Sequence, residues 1–408
     1  MLSKFKRMLI SRALNYDNKR GFKNIHAPPE VTTTYVTARY KLEETLPVAK
    51  YGGRYIVTMI PGDGIGKEIM AHIRDIFYMI CAPIDFEVID FDDPTDIDYI
   101  VHSARRNQCA IKGHMERWYN QKQLIFDSPN VELRKKLNLF AYITRFQTFK
   151  GVNCKFPDVD IVLVRQNTEG EYAMLEHETI KGVVNSLKVV SRKMVLLTAE
   201  YAMEYAKNHG RKKITVIHKA NVQKLTDGLF RDVCFDLGKR NNIEMEELII
   251  DNAACKLVQN PYQFDMLLCP NLYGNIITSI ICGLIGGSGL TSAGNYGSNC
   301  AVFEPACRCR AKSLQGLNLA NPTAFINAGM QLLHHLGFRT RAELLGEALR
   351  KSIEDDLVKT KDIGGTATTS EFIDNFKKNI ARLMEEAYAK KVREVEEDFD
   401  AQTYLENL

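Results

Sequence analysis

Short β-branched apolar runs alternate along this chain with longer segments whose apolar residues recur every three or four positions. The short runs predict strands at residues 55–60, 86–90, 161–164, 213–217, 248–250, 266–269 and 301–303. The longer segments predict helices after Gly66, at 131–142, at 191–209 and over most of the chain beyond Asn321. Because the pattern opens with strand, glycine turn, helix and strand, it predicts an α/β fold.

Polar side chains follow several of these strands at the point where each strand ends. The segments are Arg165-Gln166-Asn167-Thr168-Glu169-Gly170-Glu171-Tyr172, His218-Lys219-Ala220-Asn221, Asp251 and Pro270-Asn271-Leu272-Tyr273-Gly274-Asn275. Open α/β sheets bind ligands at the carboxyl ends of their strands, so these groups are expected to line one cleft. An arginine that can fork onto a carboxylate suits an anionic small molecule. Each segment taken alone is also compatible with an ordinary polar turn.

A serine, an asparagine and an arginine precede or open the predicted helix at 131–142. Ser128 and Asn130 stand before it, and Arg134 lies in its first turns, close to the expected cleft. The alternative for the first two is a helix cap. The turn at 61–66 lacks the spacing of the dinucleotide fingerprint, so we interpret it as a tight turn whose backbone amides are available to a ligand.

The charge balance excludes a nucleic-acid or membrane-surface protein. The net charge of the 408 residues is +4, and residues 1–28 hold seven Lys or Arg against one acid, Asp17. This basic, acid-poor start with interspersed apolar residues predicts a mitochondrial transit peptide, with a disordered basic arm as the alternative. The longest apolar run, 276–290, is too short to span a bilayer. A charged tail without a core pattern is predicted at 391–408.

The ten cysteines are scattered without paired spacing, which favours reduced thiols in a compartment that is not secretory. Cys307 and Cys309 lack a second pair of ligands nearby, so no zinc site is predicted.

Five motifs in order resemble the isocitrate and isopropylmalate dehydrogenase family. They are Ile60-Pro61-Gly62-Asp63-Gly64-Ile65-Gly66, Asn167-Thr168-Glu169-Gly170-Glu171-Tyr172, His218-Lys219-Ala220-Asn221, Pro270-Asn271-Leu272-Tyr273-Gly274 and Ala320-Asn321-Pro322-Thr323. The resemblance implies an α/β fold with a large domain at 51–160 and 300–390. A smaller α/β domain at 161–299 is inserted into it and forms the dimer. Members of this family oxidise and decarboxylate a 2-hydroxy acid with a nicotinamide cofactor and a divalent metal.

The resemblance also implies roles for individual residues. Those that match the family's grip on substrate carboxylates are Ser128, Asn130, Arg134, Arg165 and Asn167. Tyr172 matches the family's catalytic tyrosine. Lys219 matches the catalytic lysine and Asp251 the metal-binding aspartate that each subunit contributes to its neighbour's site.

Several positions depart from the family's catalytic pattern. Asn275 and Ser279 stand where two further metal-binding aspartates belong, and loss of two carboxylates from three should sharply weaken a dication site. Thr144 replaces a substrate arginine, with Arg145 one residue out of phase, and Gln166 replaces a glutamate. The family's cofactor loop is replaced by the basic segment 305–312, which should crowd a nicotinamide and favour phosphate or carboxylate instead.

These departures resemble the regulatory gamma subunits of the family's mitochondrial NAD-dependent isocitrate dehydrogenases. That resemblance implies a matrix protein that pairs with a catalytic alpha subunit and binds citrate and ADP. Arg308 would join the citrate-binding residues, and Asn321 and Lys312 would lie near the nucleotide. NAD and Mg²⁺ or Mn²⁺ would then be used at the partner's centre, to which this chain contributes Lys219 and Asp251.

Two alternatives remain open from the sequence. One is an autonomous NAD-dependent dehydrogenase of the same family with a rearranged metal site. The other is a scaffold subunit that kept the fold and lost ligand binding. Arg134, Arg165 and Tyr172 are retained, which disfavours the scaffold.

Overall fold

A ten-stranded mixed sheet forms the centre of the protein in a computed structural model that describes residues 52–91, 96–115, 128–306 and 311–406. Its strands, in sheet order, are β2 (Ile84–Val88), β1 (Tyr55–Ile60), β3 (Cys109–Lys112), β12 (Ala301–Pro305), β11 (Ser292–Tyr296), β4 (Ala141–Gln147), β5 (Asp160–Gln166), β10 (Met266–Cys269), β8 (Lys213–His218) and β9 (Glu244–Ile249). β11 runs antiparallel to β12 and to β4, and β4 runs antiparallel to β5. The other neighbouring strands are parallel.

Ten α-helices of the described residues surround this sheet. They are α1 (Gly66–Met79), α2 (Asp96–Asn107), α3 (Pro129–Lys136), α4 (Arg192–Asn208), α5 (Thr226–Asn241), α6 (Ile250–Gln259), α7 (Asn271–Leu284), α8 (Thr323–His335), α9 (Arg339–Arg350) and α10 (Thr369–Glu406). None of the described helices is both long enough and apolar enough to cross a membrane.

Alternate residues of the strands pack against different layers, as the period of two along a β-strand requires. Val162 and Val164 of β5 belong to the larger core, which α1, α4, α5 and α8 cover. Ile161 and Leu163 of the same strand belong to a second core on the opposite face, which α6 and α7 cover. Since both faces are buried, the strand appears in the sequence as an unbroken apolar run.

The fold confirms the predicted α/β class, shortens one predicted helix and contains two strands that were not predicted. The helix expected at 131–142 ends at Lys136, because Asn138 adopts a left-handed conformation with φ of 49° and the chain then enters β4. β3 and β11 lie in stretches for which the sequence pattern predicted no strand. The predicted boundaries at 161 and 299 stay predictions, since one continuous sheet crosses them.

The turn at 61–66 is tight, as predicted, but some of its amides are already used. Gly62 has a φ of 71°, and a Cβ there would lie 2.2 Å from the carbonyl oxygen of His114. The Asp63 amide donates to that same oxygen at 2.6 Å, and the Gly66 amide donates to the Asp63 carbonyl at 3.2 Å. The turn therefore joins β1 to β3, and these two amides are not available to a ligand.

A two-stranded hairpin stands apart from the sheet, formed by β6 (Glu176–Ile180) and β7 (Val183–Ser186). All residues of both strands are exposed, including Ile180 at 67% and Val184 at 64%. Leu187 directly after it is 61% exposed. An isolated hairpin of this kind is only marginally stable in water.

Candidate functional site

Arg165 is the most deeply enclosed charged group at the carboxyl end of β5, with 1% of its surface exposed. Its Nη1 donates to Oδ1 of Asn275 at 2.8 Å and its Nη2 donates to Oδ1 of Asn167 at 2.9 Å. The guanidinium carbon lies 4.3 Å from the centre of the Tyr142 ring. Its fork is thereby fixed in one orientation, as recognition of a planar carboxylate requires.

Gly274 explains how this side chain lies across the start of α7. A Cβ at Gly274 would lie 2.5 Å from Cγ and 2.7 Å from Cδ of Arg165. Only a residue without a side chain lets the arginine stem rest on the helix backbone.

A chain of amide side chains connects Arg165 to a buried carboxylate. Asn167 donates from Nδ2 to Oδ1 of Asn295 at 2.9 Å, and Asn295 donates from Nδ2 to Oε1 of Glu304 at 2.8 Å. Glu304 is 2% exposed and belongs to β12. The sheet order β12-β11-β4-β5 brings these strands together, so one hydrogen-bonded network runs across them.

Glu304 in turn pairs with two buried cations. Its Oε1 lies 3.0 Å from Nη2 of Arg134, and its Oε2 pairs with Nζ of Lys112. Lys112 also donates to Oδ1 of Asn130 at 2.8 Å. Lys112 is 3% exposed and Arg134 is 3% exposed, so neither cation is a solvated surface group.

We call the set Lys112, Asn130, Arg134, Arg165, Asn167 and Glu304 the anion cluster. It holds three buried cations, and two of them, Lys112 and Arg134, pair with the one carboxylate, Glu304. Oriented guanidinium and ammonium groups are the groups that bind carboxylates in proteins. The cluster is therefore suited to an anionic ligand.

Electrostatics around the cluster also affect His114, which lies two residues beyond Lys112. Burial lowers the pKa of His114 to about 4, and the positive charge of Lys112 acts in the same direction. Its ring contacts Phe325 edge to face at 5.7 Å. His114 is therefore neutral at physiological pH and adds no charge to the cluster.

Other sequence-predicted residues lie in different surroundings. Ser128 occupies the N-cap position of α3, yet its hydroxyl makes no cap hydrogen bond. Tyr172 lies partly buried in a 3₁₀ turn, Gly170–Ala173, directly after β5. Arg308 and the two cysteines beside it lie outside the described residues, as do the predicted transit peptide and the end of the charged tail.

The two predicted nucleotide residues are not brought into the anion cluster. Asn321 donates to Oδ2 of Asp362 at 2.9 Å and accepts the amide of Thr323 at 3.0 Å. Lys312 is exposed in a short 3₁₀ turn. Their assignment to a nucleotide stays a prediction.

Lys219 and Asp251 form a separate pair at the carboxyl ends of β8 and β9. Nζ of Lys219 lies 2.7 Å from Oδ1 of Asp251, and their side chains are 26% and 62% exposed. The hydrogen bond from Lys219 holds the pKa of Asp251 below its usual range. This pair faces solvent on the last two strands of the sheet, where another subunit could reach it.

The donor atoms at the predicted metal position do not fit a resident dication. Oδ1 of Asn275 accepts from Arg165, and Oγ of Ser279 donates to the Asn275 carbonyl at 3.2 Å. Across the described part of the chain, no group of three or more His, Cys, Asp or Glu side chains is placed to hold a metal ion. Magnesium and manganese need anionic oxygens, which this chain does not supply there.

The structure also shows where Thr144, Arg145 and Gln166 lie. Arg145 makes a bidentate contact with Asp160 at 2.9 and 2.8 Å, on the side of β4 away from Arg165, whereas Thr144 is fully buried. Gln166 turns back and accepts the amides of Thr168 and Glu169, so it shapes the motif instead of facing a ligand. Neither Arg145 nor Gln166 contributes to the anion cluster.

Sequence reasoning missed Lys112, Tyr142, Asn295 and Glu304. Lys112 ends a four-residue strand, and a lysine in a polar stretch gives no sign of burial. Glu304 did follow a predicted strand at 301–303, so the rule applied to Arg165 and Lys219 could have found it.

Comparisons with known proteins identify a family and several relatives. Residues 56–376 match the family model described as isocitrate/isopropylmalate dehydrogenase. The mitochondrial gamma subunit of NAD isocitrate dehydrogenase from Homo sapiens is 44% identical over 343 residues, which is 83% of this chain and 87% of that protein. Subunit 1 of the mitochondrial NAD isocitrate dehydrogenase of Saccharomyces cerevisiae is 42% identical, over 81% of this chain and 92% of its own.

A solved structure shows the same fold. The crystal structure of isocitrate dehydrogenase from Methylococcus capsulatus superposes with a TM-score of 0.75 at 32% identity. The match covers 80% of this chain and 99% of that one.

Proposed function

This chain belongs to the isocitrate/isopropylmalate dehydrogenase family, and from that premise we propose that it is a regulatory, gamma-like subunit of a mitochondrial NAD-dependent isocitrate dehydrogenase. The enzyme converts isocitrate and NAD to 2-oxoglutarate, CO₂ and NADH. The mitochondrial location follows the names of the relatives. The basic segment at 1–28 is compatible with the same location.

The observation that carries this proposal is that the cations of the anion cluster are in place, whereas the predicted metal position beside it lacks the carboxylates that a dication needs. Lys112, Arg134 and Arg165 remain buried and oriented, while Asn275 and Ser279 offer neutral oxygens that are engaged within the protein. Citrate and isocitrate are both tricarboxylates, so these cations can bind either acid. Binding alone does not activate the substrate hydroxyl, so this chain's own centre holds its ligand without turnover.

Lys219 and Asp251 have a different role in this proposal. Asp251 is exposed and Lys219 is half-buried near the edge of the sheet, and neither belongs to the anion cluster. They complete the site of a catalytic alpha subunit, where Asp251 adds a carboxylate to the metal-binding set and Lys219 exchanges a proton with the substrate. When bound at that site, Mg²⁺ or Mn²⁺ polarises the hydroxyl oxygen and NAD accepts the hydride.

The basic segment 305–312 and Asn321 are proposed to bind ADP beside the citrate. The support is compositional, since Arg308, Arg310 and Lys312 replace the family's cofactor loop with cations that suit phosphate. Asn321 lies at the start of α8, whose amino end is favourable for an anion.

A reconstitution assay tests the proposal. The purified chain is expected to reduce no NAD with isocitrate and Mg²⁺, yet to support NADH production when combined with a catalytic alpha subunit. Calorimetry of the chain alone should show citrate binding that Arg165→Met abolishes. Turnover by the isolated chain would establish the autonomous dehydrogenase instead. If a folded chain shows no heat of citrate binding, the alternative of a scaffold subunit without ligand binding is favoured.

A further inference from the structure

A buried ion bridge lies between the anion cluster and Lys219. Nζ of Lys188 lies 3.2 Å from Oε1 of Glu171 and 2.7 Å from Oδ1 of Asp227. The other carboxylate oxygen of Asp227 accepts the backbone amide of Lys219 at 2.8 Å. We call Glu171, Lys188, Asp227 and the Lys219 amide the Lys188 bridge. One end is the neighbour of Tyr172, and the other is the peptide that carries Lys219.

The centre of this bridge is removed from water. Asp227 is fully buried, and the Lys188 side chain is 12% exposed. Burial by itself favours the neutral amine, but the hydrogen bond to Asp227 and the charges of Asp227 and Glu171 outweigh it and raise the pKa of Lys188. A buried pair is poor evidence of stability, since its desolvation cost offsets most of its attraction. A pair at this place fixes geometry more than it adds stability.

A second path connects the same two regions through α7. Asn275 accepts from Arg165, and Tyr273 lies two residues earlier on the same helix. Nζ of Lys188 lies 4.8 Å from the centre of the Tyr273 ring. Arg165 and the Gly170–Ala173 turn are thus both connected to Lys188, one through α7 and the other through Glu171.

Lys219 has two arrangements open to it. In this structure its amine is held by Asp251 of the same chain at 2.7 Å. In the function proposed above, both side chains act in a neighbouring subunit's site, so that internal pair has to open. Allosteric coupling requires an element with two such arrangements whose balance a ligand can shift.

We propose that Lys188 and Asp227 are positioning residues, through which occupancy of the anion cluster controls how Lys219 is presented to the catalytic partner. The inference rests on the function proposed above and adds the route by which citrate acts. Anion binding fixes the Gly170–Ala173 turn and the start of α7. Because Lys188 contacts both elements, its position changes with theirs. Asp227, which binds both Lys188 and the Lys219 amide, transmits this shift to the Lys219 peptide. Neither Lys188 nor Asp227 contacts the ligand or the reacting atoms.

The test uses the double substitution Lys188→Met with Asp227→Asn in the complex with a catalytic alpha subunit. Changing both residues avoids an unpaired buried charge. Citrate binding to the altered chain, measured by calorimetry, should keep its Kd within about threefold. The activation ratio, which is the velocity with citrate divided by that without it at isocitrate below KM, should fall about fivefold or more. The effect of citrate on the Kd of isocitrate and the effect of isocitrate on the Kd of citrate should shrink together, because coupling between binding sites is reciprocal.

A matched control lies at the other end of β8. Arg211 pairs with Asp265 at 3.0 Å, and Asp265 accepts the amide of Lys212 at 2.7 Å, so this pair repeats the chemistry of the bridge far from Lys219. Arg211→Met with Asp265→Asn should lower thermal stability to a similar degree and leave the activation ratio unchanged. Equal loss of activation in both double variants would reduce the bridge to a structural role and overturn the inference.

The remaining outcomes are also decisive. An unchanged activation ratio in the Lys188 and Asp227 variant, with citrate still bound, overturns the inference and leaves the proposed function intact. An unaltered complex that neither binds nor responds to citrate overturns both. If the double variant fails to fold, Glu171→Gln loosens only the partly exposed end of the bridge and should lower the activation ratio with citrate binding retained.

Discussion

Arg165 shows how a single glycine can determine the geometry of a binding site. Its guanidinium is held by Asn275, Asn167 and the Tyr142 ring, and its stem crosses α7 at Gly274. The sequence identified both Arg165 and the motif that contains Gly274. It gave no indication that the two meet, because the contact depends on β5 and β10 lying side by side in the sheet.

Gly274→Ala should therefore displace Arg165 from its hydrogen bonds. The added methyl group would overlap the arginine stem at 2.5 Å, so we expect a loss of about 1–3 kcal/mol in the free energy of unfolding. Citrate affinity should fall about tenfold, because charge-assisted hydrogen bonds would be lost with the orientation. Urea unfolding and calorimetry measure the two effects.

Gly283→Ala is the matched control for that substitution. It changes the same helix at a position where a Cβ meets nothing within 4 Å. Alanine there should leave citrate affinity unchanged and stabilise the helix by up to about 1 kcal/mol. Equal effects at the two glycines would contradict a specific contact with Arg165.

His114 should make the stability of this chain sensitive to acid. Its pKa is lowered from an ordinary value near 6.5 to about 4, chiefly by burial. Below about pH 6.5 the unfolded state binds the proton more readily than the folded state, so stability is complete above that pH and falls toward pH 4. The free energy of unfolding should fall by up to about 3 kcal/mol between these pH values.

Urea unfolding at pH 7 and pH 4.5 checks this expectation. His114→Gln should reduce the difference in the free energy of unfolding between the two pH values. His177→Gln, on the exposed hairpin, serves as the control. An identical pH dependence in the native chain and the His114 variant would show that another group is responsible.

At the scale of elements, the sequence predicted those strands whose residues are buried on both faces. β1, β5, β8 and β10 appear as short apolar runs, and the structure confirms them. The first two residues of β4 were included in the predicted helix at 131–142, because Leu133, Leu137 and Phe140 happen to repeat at helical spacing across the end of α3. β11 carries Gly294 and Asn295, whose propensities favour a turn, and only pairing with β4 and β12 makes this segment a strand.

The exposed hairpin is expected to mediate assembly with the partner. Apolar side chains at Ile180 and Val184 would be covered there, so Val184→Asp should prevent co-purification with a catalytic alpha subunit. The stability of the isolated chain should change by less than about 0.5 kcal/mol, since Val184 packs against no core. Tyr99→Asp, at an exposed position on α2, is the control and should leave the complex intact. A normal complex with the Val184 variant would place the interface elsewhere.

At the scale of the whole molecule, the sequence was sufficient to identify the family and most of the cations of the anion cluster. It was insufficient to show which charges that cluster combines, because Glu304 and Lys112 lie far from Arg165 in sequence and meet only in the folded sheet. Whether a lysine is a surface group or part of a buried cluster depends on such distant partners. The same reasoning applies to Lys188, which the sequence did not single out and which the fold places between two functional regions.

The global stability of the chain should respond to citrate without any metal. A ligand that binds only the folded state adds about 2.7 kcal/mol at a concentration one hundred times its Kd. Thermal unfolding with citrate should show the same rise in Tm with and without EDTA, because no carboxylate cage is present among the described residues. A rise that disappears with EDTA and returns with Mg²⁺ would contradict the loss of the metal site.

The exposed hairpin also has a consequence for the amount of this chain in the cell. A freshly made copy displays Ile180, Val184 and Leu187 to the surrounding protein until a partner buries them. Chaperones and proteases recognise such surfaces, so we expect surplus copies to have a short lifetime. The supply of the proposed partner, instead of the rate of synthesis of this chain, is then expected to set the amount that accumulates.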